Sequence, residues 1–183
     1  MGCRQFKKDQ HGVALGNLRR WARDNASLLP PASTSILELT ELDSRRAAKA
    51  YDSLSAAEAC ERQRSGNPVS VRFGPTGAAK VLYALRRDSL PPWDEAIRDH
   101  FHLDGSAQSY AEFLRVAAAD LSGVVADAAR YGIEPSALPS EICRSESTLP
   151  KLIDEYYWVV ARQFQVPEQS EVRRWAEWSA GNR

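Results

Sequence analysis

Cysteine, histidine and long apolar runs are all scarce in this chain. The three cysteines, Cys3, Cys60 and Cys143, are odd in number and far apart, and no C-x-x-C pair occurs. Neither a disulfide framework nor a zinc site is predicted, and free thiols suit a reducing compartment. The three histidines, His11, His100 and His102, form no spaced ligand set with them. His100 and His102 read as a solvated pair at a helix end, because a metal would need further ligands from afar. No metal and no cofactor is expected. No stretch approaches the roughly 18 consecutive apolar residues of a membrane span. The first ten residues, MGCRQFKKDQ, lack the apolar centre of a signal peptide. They begin Met-Gly-Cys, but Phe6 stands where a myristoylation signal has Ser or Thr. The expectation is a soluble, cytoplasmic protein with no membrane partner.

An excess of charge is missing too. Lys and Arg number 24, as do Asp and Glu, so no global field draws the protein to nucleic acid or anionic lipid. One local excess exists in residues 1–25. Arg4, Lys7, Lys8, Arg19, Arg20 and Arg23 stand against Asp9 and Asp24, which is 6 − 2 = +4. Such a patch reads as a solvated helix face beside a frayed terminus.

What the 183 residues do carry, at 43% hydrophobic and 26% charged, is enough apolar matter for one core and a helical period almost throughout. Val13, Leu15, Leu18, Trp21 and Ala22 share a helix face. Leu-Leu-Pro-Pro breaks the chain at 28–31. Ser35 opens a short helix carrying Ile36, Leu37 and Leu39. Asp43 is the expected N-cap of a helix through Tyr51, and Ser55 with Glu58 forms a capping box for a second helix reaching about Arg64. The loop SGNP covers 65–68. VSVRF at 69–73 alternates, but without a visible partner strand it reads as extended coil or a first helical turn. Helices follow at about 75–87, 93–101 and 106–131, the last closed by Gly132. EPSALPSEICR reads as short helix and turn. Thr148 and Pro150 begin a helix through LPKLIDEYYWVVARQF, which Pro167 ends. EVRRWAEWSA then sets Val172, Trp175 and Trp178 at three-residue spacing, the mark of a core or docked stripe. The reading is a single all-α domain over 1–183, a compact multi-helix unit with frayed ends at about 1–10 and 179–183.

The chemistry gathers in FGPTGAAKVLYALRRDSLPPWDEAIRDHF, residues 73–101. Gly74 and Gly77 bracket Pro75 and Thr76 in a tight turn before a helix. Free backbone N–H groups and the helix dipole at such a point can hold an anion, a nucleic-acid phosphate among them. Lys80 lies one turn into the helix. Val81, Leu82 and Leu85 are the expected core positions, while Lys80, Tyr83, Ala84 and Arg87 share another face that can line a cleft. A lysine that sheds its proton can act as a nucleophile. Asp94 opens the next helix, where a carboxylate caps free N–H groups. It can also stabilise positive charge on a sugar ring or activate a water. Trp93 beside it can stack on a base or pack in the core.

This order of glycine turn, lysine-bearing helix, short loop and helix-opening aspartate resembles the helix-hairpin-helix DNA glycosylase superfamily. The resemblance covers about 30 of 183 residues. A similar FGP, Lys, P-x-W-D and I-R pattern, with a later LPKLIDEY-like helix, marks a group of uncharacterised bacterial proteins. The glycosylase resemblance implies an all-α fold with a helix-hairpin-helix-like element at about 73–101. It implies DNA as partner, held through Arg72, Gly74, Thr76, Gly77 and Trp93. It further implies that Asp94 promotes cleavage of a base–sugar bond and that Lys80 is a Schiff-base lysine, with the target base flipped into a pocket. This chain departs from the family in three places. Its turn is Gly-Pro-Thr-Gly, its lysine and aspartate stand 94 − 80 = 14 residues apart, about one helical turn closer than in the family, and Ala96 stands where many members have histidine. The alternative is a non-enzymatic helical interaction or accessory protein. In the C-terminal helix, Lys151 and Glu155 are expected to pair along the surface. Asp154 is expected to reach Arg87 or Arg98 as a structural salt bridge.

Overall fold

The computed structural model describes residues 11–64 and 67–163. The stripe of Val172, Trp175 and Trp178 and the two frayed ends expected from the sequence lie outside these residues. Helices dominate: α1 His11–Asn25, α2 Glu41–Ala56, α3 Gly74–Leu85, α4 Glu95–His100, α5 Ala107–Ala129, α6 Leu138–Glu141 and α7 Leu149–Gln163. Two strands, β1 Glu58–Arg64 and β2 Asn67–Arg72, form one antiparallel hairpin between α2 and α3.

That hairpin corrects the all-α expectation, since the fold is predominantly rather than wholly helical. The helix expected from Ser55 to Arg64 does not form. Instead α2 runs unbroken to Ala56, and Glu58–Arg64 turns out to be the partner strand that VSVRF appeared to lack. The physical reason is where apolar surface can be buried. EACERQR offers only Ala59 and Cys60 to the interior, too little for a helix face. A bulge between Glu58 and Cys60 lets both consecutive residues turn inward. The ladder is extended by Phe73 N–H donating to Ala57 C=O at 3.0 Å, and α1 is stitched to it by Asn17 Nδ2 donating to Glu58 C=O at 3.0 Å.

The start of α2 is also corrected by one turn. Thr40, not Asp43, is the N-cap. Its hydroxyl oxygen accepts from the Asp43 N–H, and the Asp43 carboxylate accepts from the Thr40 N–H, both at 3.1 Å. The Thr40 hydroxyl also donates to the Asp43 carboxylate at 2.6 Å, and this bond first, then the Thr40 N–H, holds the Asp43 carboxyl below its ordinary value. Ser35 and Glu38 form the same reciprocal cap on a 3-10 turn at Ile36–Glu38. The long helix α5 is capped by Ser106, and Gly132 takes the left-handed conformation (φ +74°) past its end.

The core lies where α2 packs against α3 and α5. Its centre is aromatic: Tyr51, Trp93, Tyr110 and Phe113 are all fully buried. Tyr51 stacks on Tyr110 with ring centres 4.2 Å apart, and Trp93 meets Tyr51 edge-on at 5.9 Å and Phe113 at 5.0 Å. Such pairs contribute about 0.5–1.5 kcal/mol each beyond area burial. Burial pushes the Tyr51 phenol up to about 12. On α3 the inward residues are Ala78, Ala79 and Leu82, while Leu85, an expected core position, is 41% exposed. Among the described residues no helix is long and apolar enough to cross a membrane.

Candidate functional site

The segment Arg86–Trp93 carries the chain from α3 to α4 and fixes the floor of a cleft. Its prolines cannot continue the helix, and Ser89 through Trp93 are all buried. The loop is tied down from both sides. Ile36 N–H donates to Asp88 C=O at 2.7 Å, and the Arg86 guanidinium donates to Pro30 C=O. Trp93 is therefore held with its ring in the aromatic core, and Asp94 emerges at a fixed point beside it.

Asp94 has extended backbone and caps α4, its Oδ1 accepting from the Ile97 N–H at 3.1 Å. Across from it, α7 presents Lys151, Asp154, Glu155, Trp158 and Val159, and α3 presents Lys80 and Tyr83. With Pro92 and Trp93 these residues enclose a cleft of about 680 Å³. Lys80, Trp93 and Asp94, singled out in the sequence, thus line one cavity although 14 residues separate the lysine from the aspartate. Tyr83 shares the helix face of Lys80, as its spacing implies.

The electrostatics of the cleft centre on α7. Lys151 Nζ lies 2.6 Å from Asp154 Oδ2 and 3.8 Å from Glu155 Oε1, and Arg144 meets Glu155 at 2.7 Å. The expected Lys151–Glu155 pair is thus the longer of two. The Asp154 bridge to Arg87 or Arg98 is not formed, because both arginines are engaged elsewhere. Arg87 donates to the Glu146 carbonyl at 3.4 Å. Arg98 donates to Thr76 Oγ1 at 3.1 Å and stands 5.6 Å above the Trp93 ring. The Asp154 side chain is only 14% exposed. Burial raises its pKa, the hydrogen bond and charge of Lys151 oppose the rise, and the charges of Asp94 and Glu155 reinforce it. For Lys151, burial acts to lower the pKa, but Asp154 and then Glu155 outweigh it, so the net direction is upward. The two directions agree physically: Asp154 and Glu155 share one half-buried ammonium, which favours the ammonium, while burial and the neighbouring charges of Asp94 and Glu155 disfavour ionisation of Asp154.

The remaining sequence candidates sit elsewhere. Arg72 ends β2 with its side chain exposed. Gly74 is the first residue of α3 and is left-handed (φ +67°), but Gly77 is already inside the helix, where an added Cβ would lie 3.6 Å from Phe73 Cβ. The element before Gly74 is the strand β2, so the glycine turn links a strand to a helix. This end of α3 is also partly covered. Thr76 is taken by Arg98, and Gly105 packs so closely that a Cβ there would meet Pro75 Cγ at 2.7 Å. Tyr51 Oη holds the same loop by donating to the Gly105 carbonyl at 3.0 Å. None of Arg72, Gly74, Thr76 and Gly77 lines the cleft.

Among the described residues no group of His, Cys, Asp and Glu is placed to hold a metal ion. Comparison with protein-family models, curated proteins and solved structures finds no match to this chain.

Proposed function

We propose that the cleft between α3, the proline loop and α7 accepts a nucleobase, and that the protein acts on DNA in the manner of a helix-hairpin-helix glycosylase. The observation that carries this reading is the meeting of Lys80 and Asp94 on one cavity, with Trp93 buried beneath it in the core rather than exposed as a stacking surface. Tyr83 and Trp158 add aromatic surface on which a planar base can stack. The lining holds two lysines against three carboxylates, a balance of 2 − 3 = −1. That balance suits the neutral base and a sugar gaining positive charge, and leaves the phosphates outside. In this reading α3, the proline loop and α4 are the counterpart of the family's helix-hairpin-helix element, Asp94 stabilises the sugar cation as the base–sugar bond breaks, and Lys80 attacks the sugar carbon.

The test is retention on DNA at low salt, followed by borohydride trapping on duplexes with abasic or damaged sites. Expected are retention that weakens as salt rises and a covalent adduct that the Lys80→Ala variant cannot form. Absence of retention at low salt sinks the reading. Retention without an adduct removes only the lysine chemistry.

A second reading, a non-enzymatic helical interaction module, is favoured by one observation. Asp94 already has a structural task as the α4 cap, and within the glycine turn Thr76 is taken by Arg98 and Pro75 is pressed by Gly105.

A further inference from the structure

The cleft between α3, the proline loop and α7 holds more hydrogen-bonding capacity than the fold itself uses. Asp94 gives Oδ1 to the Ile97 N–H at 3.1 Å, and its Oδ2 has no partner among the described residues. Asp154 receives Lys151 on Oδ2 at 2.6 Å, and its Oδ1 is likewise unmatched among them. Lys151 Nζ carries three N–H donors. Asp154 takes one, while Glu155 Oε1, at 3.8 Å, is beyond hydrogen-bond reach and is matched by Arg144 at 2.7 Å. One donor group and two acceptor oxygens, all on residues that line the cleft, are therefore left for a ligand.

Asp154 is the middle member of this set. It touches Lys151, and the charge of Asp94 acts on it ahead of that of Glu155. The charges acting on Lys151 come instead from Asp154, Glu155 and Tyr83. The row along the cleft is thus donor, acceptor, acceptor. Tyr83 of α3 and Trp158 of α7 stand on facing walls, which leaves a slot for a flat ring.

The Watson–Crick edges of the bases differ in how they meet such a row. Guanine offers an acceptor and then two donors: O6, N1–H and the 2-amino group. Thymine offers acceptor, donor, acceptor, so its O2 would face a carboxylate. Cytosine sets a ring acceptor against a carboxylate in either direction. Adenine has one donor and one acceptor and leaves a carboxylate unmatched. Asp154 itself fits the guanine edge. A buried carboxylate with a single donor ionises less readily than usual, the direction found here, and a second donor favours its ionised form.

We propose that the cleft selects a guanine-type base, with Lys151 donating to the 6-oxo group, Asp154 accepting from N1–H and Asp94 accepting from the 2-amino group. The assignment rests on the reading of the cleft as a nucleobase site and names the base. The 2-amino group lies at the end of the edge nearest the sugar, so Asp94 keeps its place beside the base–sugar bond.

The test uses the full-length protein and duplexes with one base opposite a propanediol spacer, where the base leaves the stack easily. Guanine, hypoxanthine, adenine and thymine are compared at that position by retention at low salt. Hypoxanthine keeps O6 and N1–H but lacks the 2-amino group. The guanine duplex should be held about tenfold more tightly than the hypoxanthine duplex, the weight of one hydrogen bond to a charged group, and thymine should be weaker still. Asp94→Asn should bring guanine and hypoxanthine level, because the amide N–H₂ then faces the 2-amino group. Asp154→Asn should weaken both and keep their difference. Equal retention of all the duplexes, or a preference for adenine or thymine, overturns the guanine assignment and leaves DNA binding standing. A guanine preference that survives Asp94→Asn overturns it as well. Retention of none of the duplexes is the failure of the nucleobase reading itself, and the guanine assignment falls with it.

Discussion

The two ends of α3 carry residues of the same chemical promise and meet opposite fates. At its start, Gly74, Thr76 and Gly77 have the composition of an anion grip, yet Arg98 takes Thr76, Gly77 lies against Phe73 and Gly105 presses on Pro75, leaving only Gly74 facing open space. One turn later, Lys80 and Tyr83 open onto a cleft with Asp94 and the ionic cluster of α7. The difference does not come from the helix itself. It comes from what the chain places opposite: a loop with a glycine small enough to press against Pro75 in one case, a proline-rigid segment and the polar side of α7 in the other. A motif can announce a free helix terminus, but only tertiary packing decides whether the terminus stays free.

The strongest way to break this comparison is to push the closed end open. Gly105→Ala sets a methyl group 2.7 Å from Pro75 Cγ, and neither the proline ring nor the loop held by Tyr51 can retreat cheaply. A loss of about 1–3 kcal/mol is expected, as for other overpacked sites, read from the urea midpoint at constant slope. A neutral or stabilising result would mean that this end of α3 is looser than the contact implies. The phosphate-grip reading would then regain its main requirement.

The open end is sharpened by separating the two tasks of Asp94. Asp94→Ala removes the oxygen that accepts from the Ile97 N–H and should cost about 1 kcal/mol, the ordinary value of an N-cap. Asp94→Asn keeps an accepting oxygen and should cost less than half as much, while removing the negative charge from the cleft. Equal losses in the two variants would show that charge at the helix start, rather than the hydrogen bond, is what Asp94 contributes to the fold.

How much of this was readable in the sequence depends on how local the signal is. The helix start at Ser35, the Gly132 stop and most helices follow from spacing within a few residues. The β-hairpin did not, because Glu58–Arg64 has no apolar alternation of its own. The one clue was a two-residue Ser65-Gly66 connection between two extended runs, a length and composition typical of hairpins. Lys80, Tyr83, Trp93 and Asp94 could be named because they lie in one continuous stretch. The far wall of the cleft could not. Lys151, Asp154 and Trp158 reach it only through the packing of α7 on α4, a contact across more than fifty residues with no local trace. The partner of Asp154 was misjudged for the same reason: Arg98 is drawn off by Thr76 and Trp93, residues that nothing in the spacing links to it.

Asp154 gives the smallest and most diagnostic effect. Its carboxyl is raised in the folded protein, first by burial and then by the neighbouring carboxylates. Between its unfolded value, near 3.9, and the higher folded value, the native state holds more of this proton than the unfolded chain does. Stability contributed by Asp154 therefore falls as pH rises through the window just above 4 and is level beyond it. Lys151, raised in the fold, is fully charged in both states throughout that window, so it does not mask the trend. Comparing wild type with Asp154→Asn from pH 3 to 7 cancels the other titrating groups to first order, and the wild-type advantage should shrink with rising pH. The change is small, because the Lys151 ammonium at 2.6 Å offsets much of the burial cost. An advantage that grows with pH instead would mean that Lys151 outweighs burial and that the pair is an ordinary salt bridge. The cleft would then lose its one buried carboxyl biased toward holding a proton, and with it the feature that sets this face of α3 most clearly apart from the closed one.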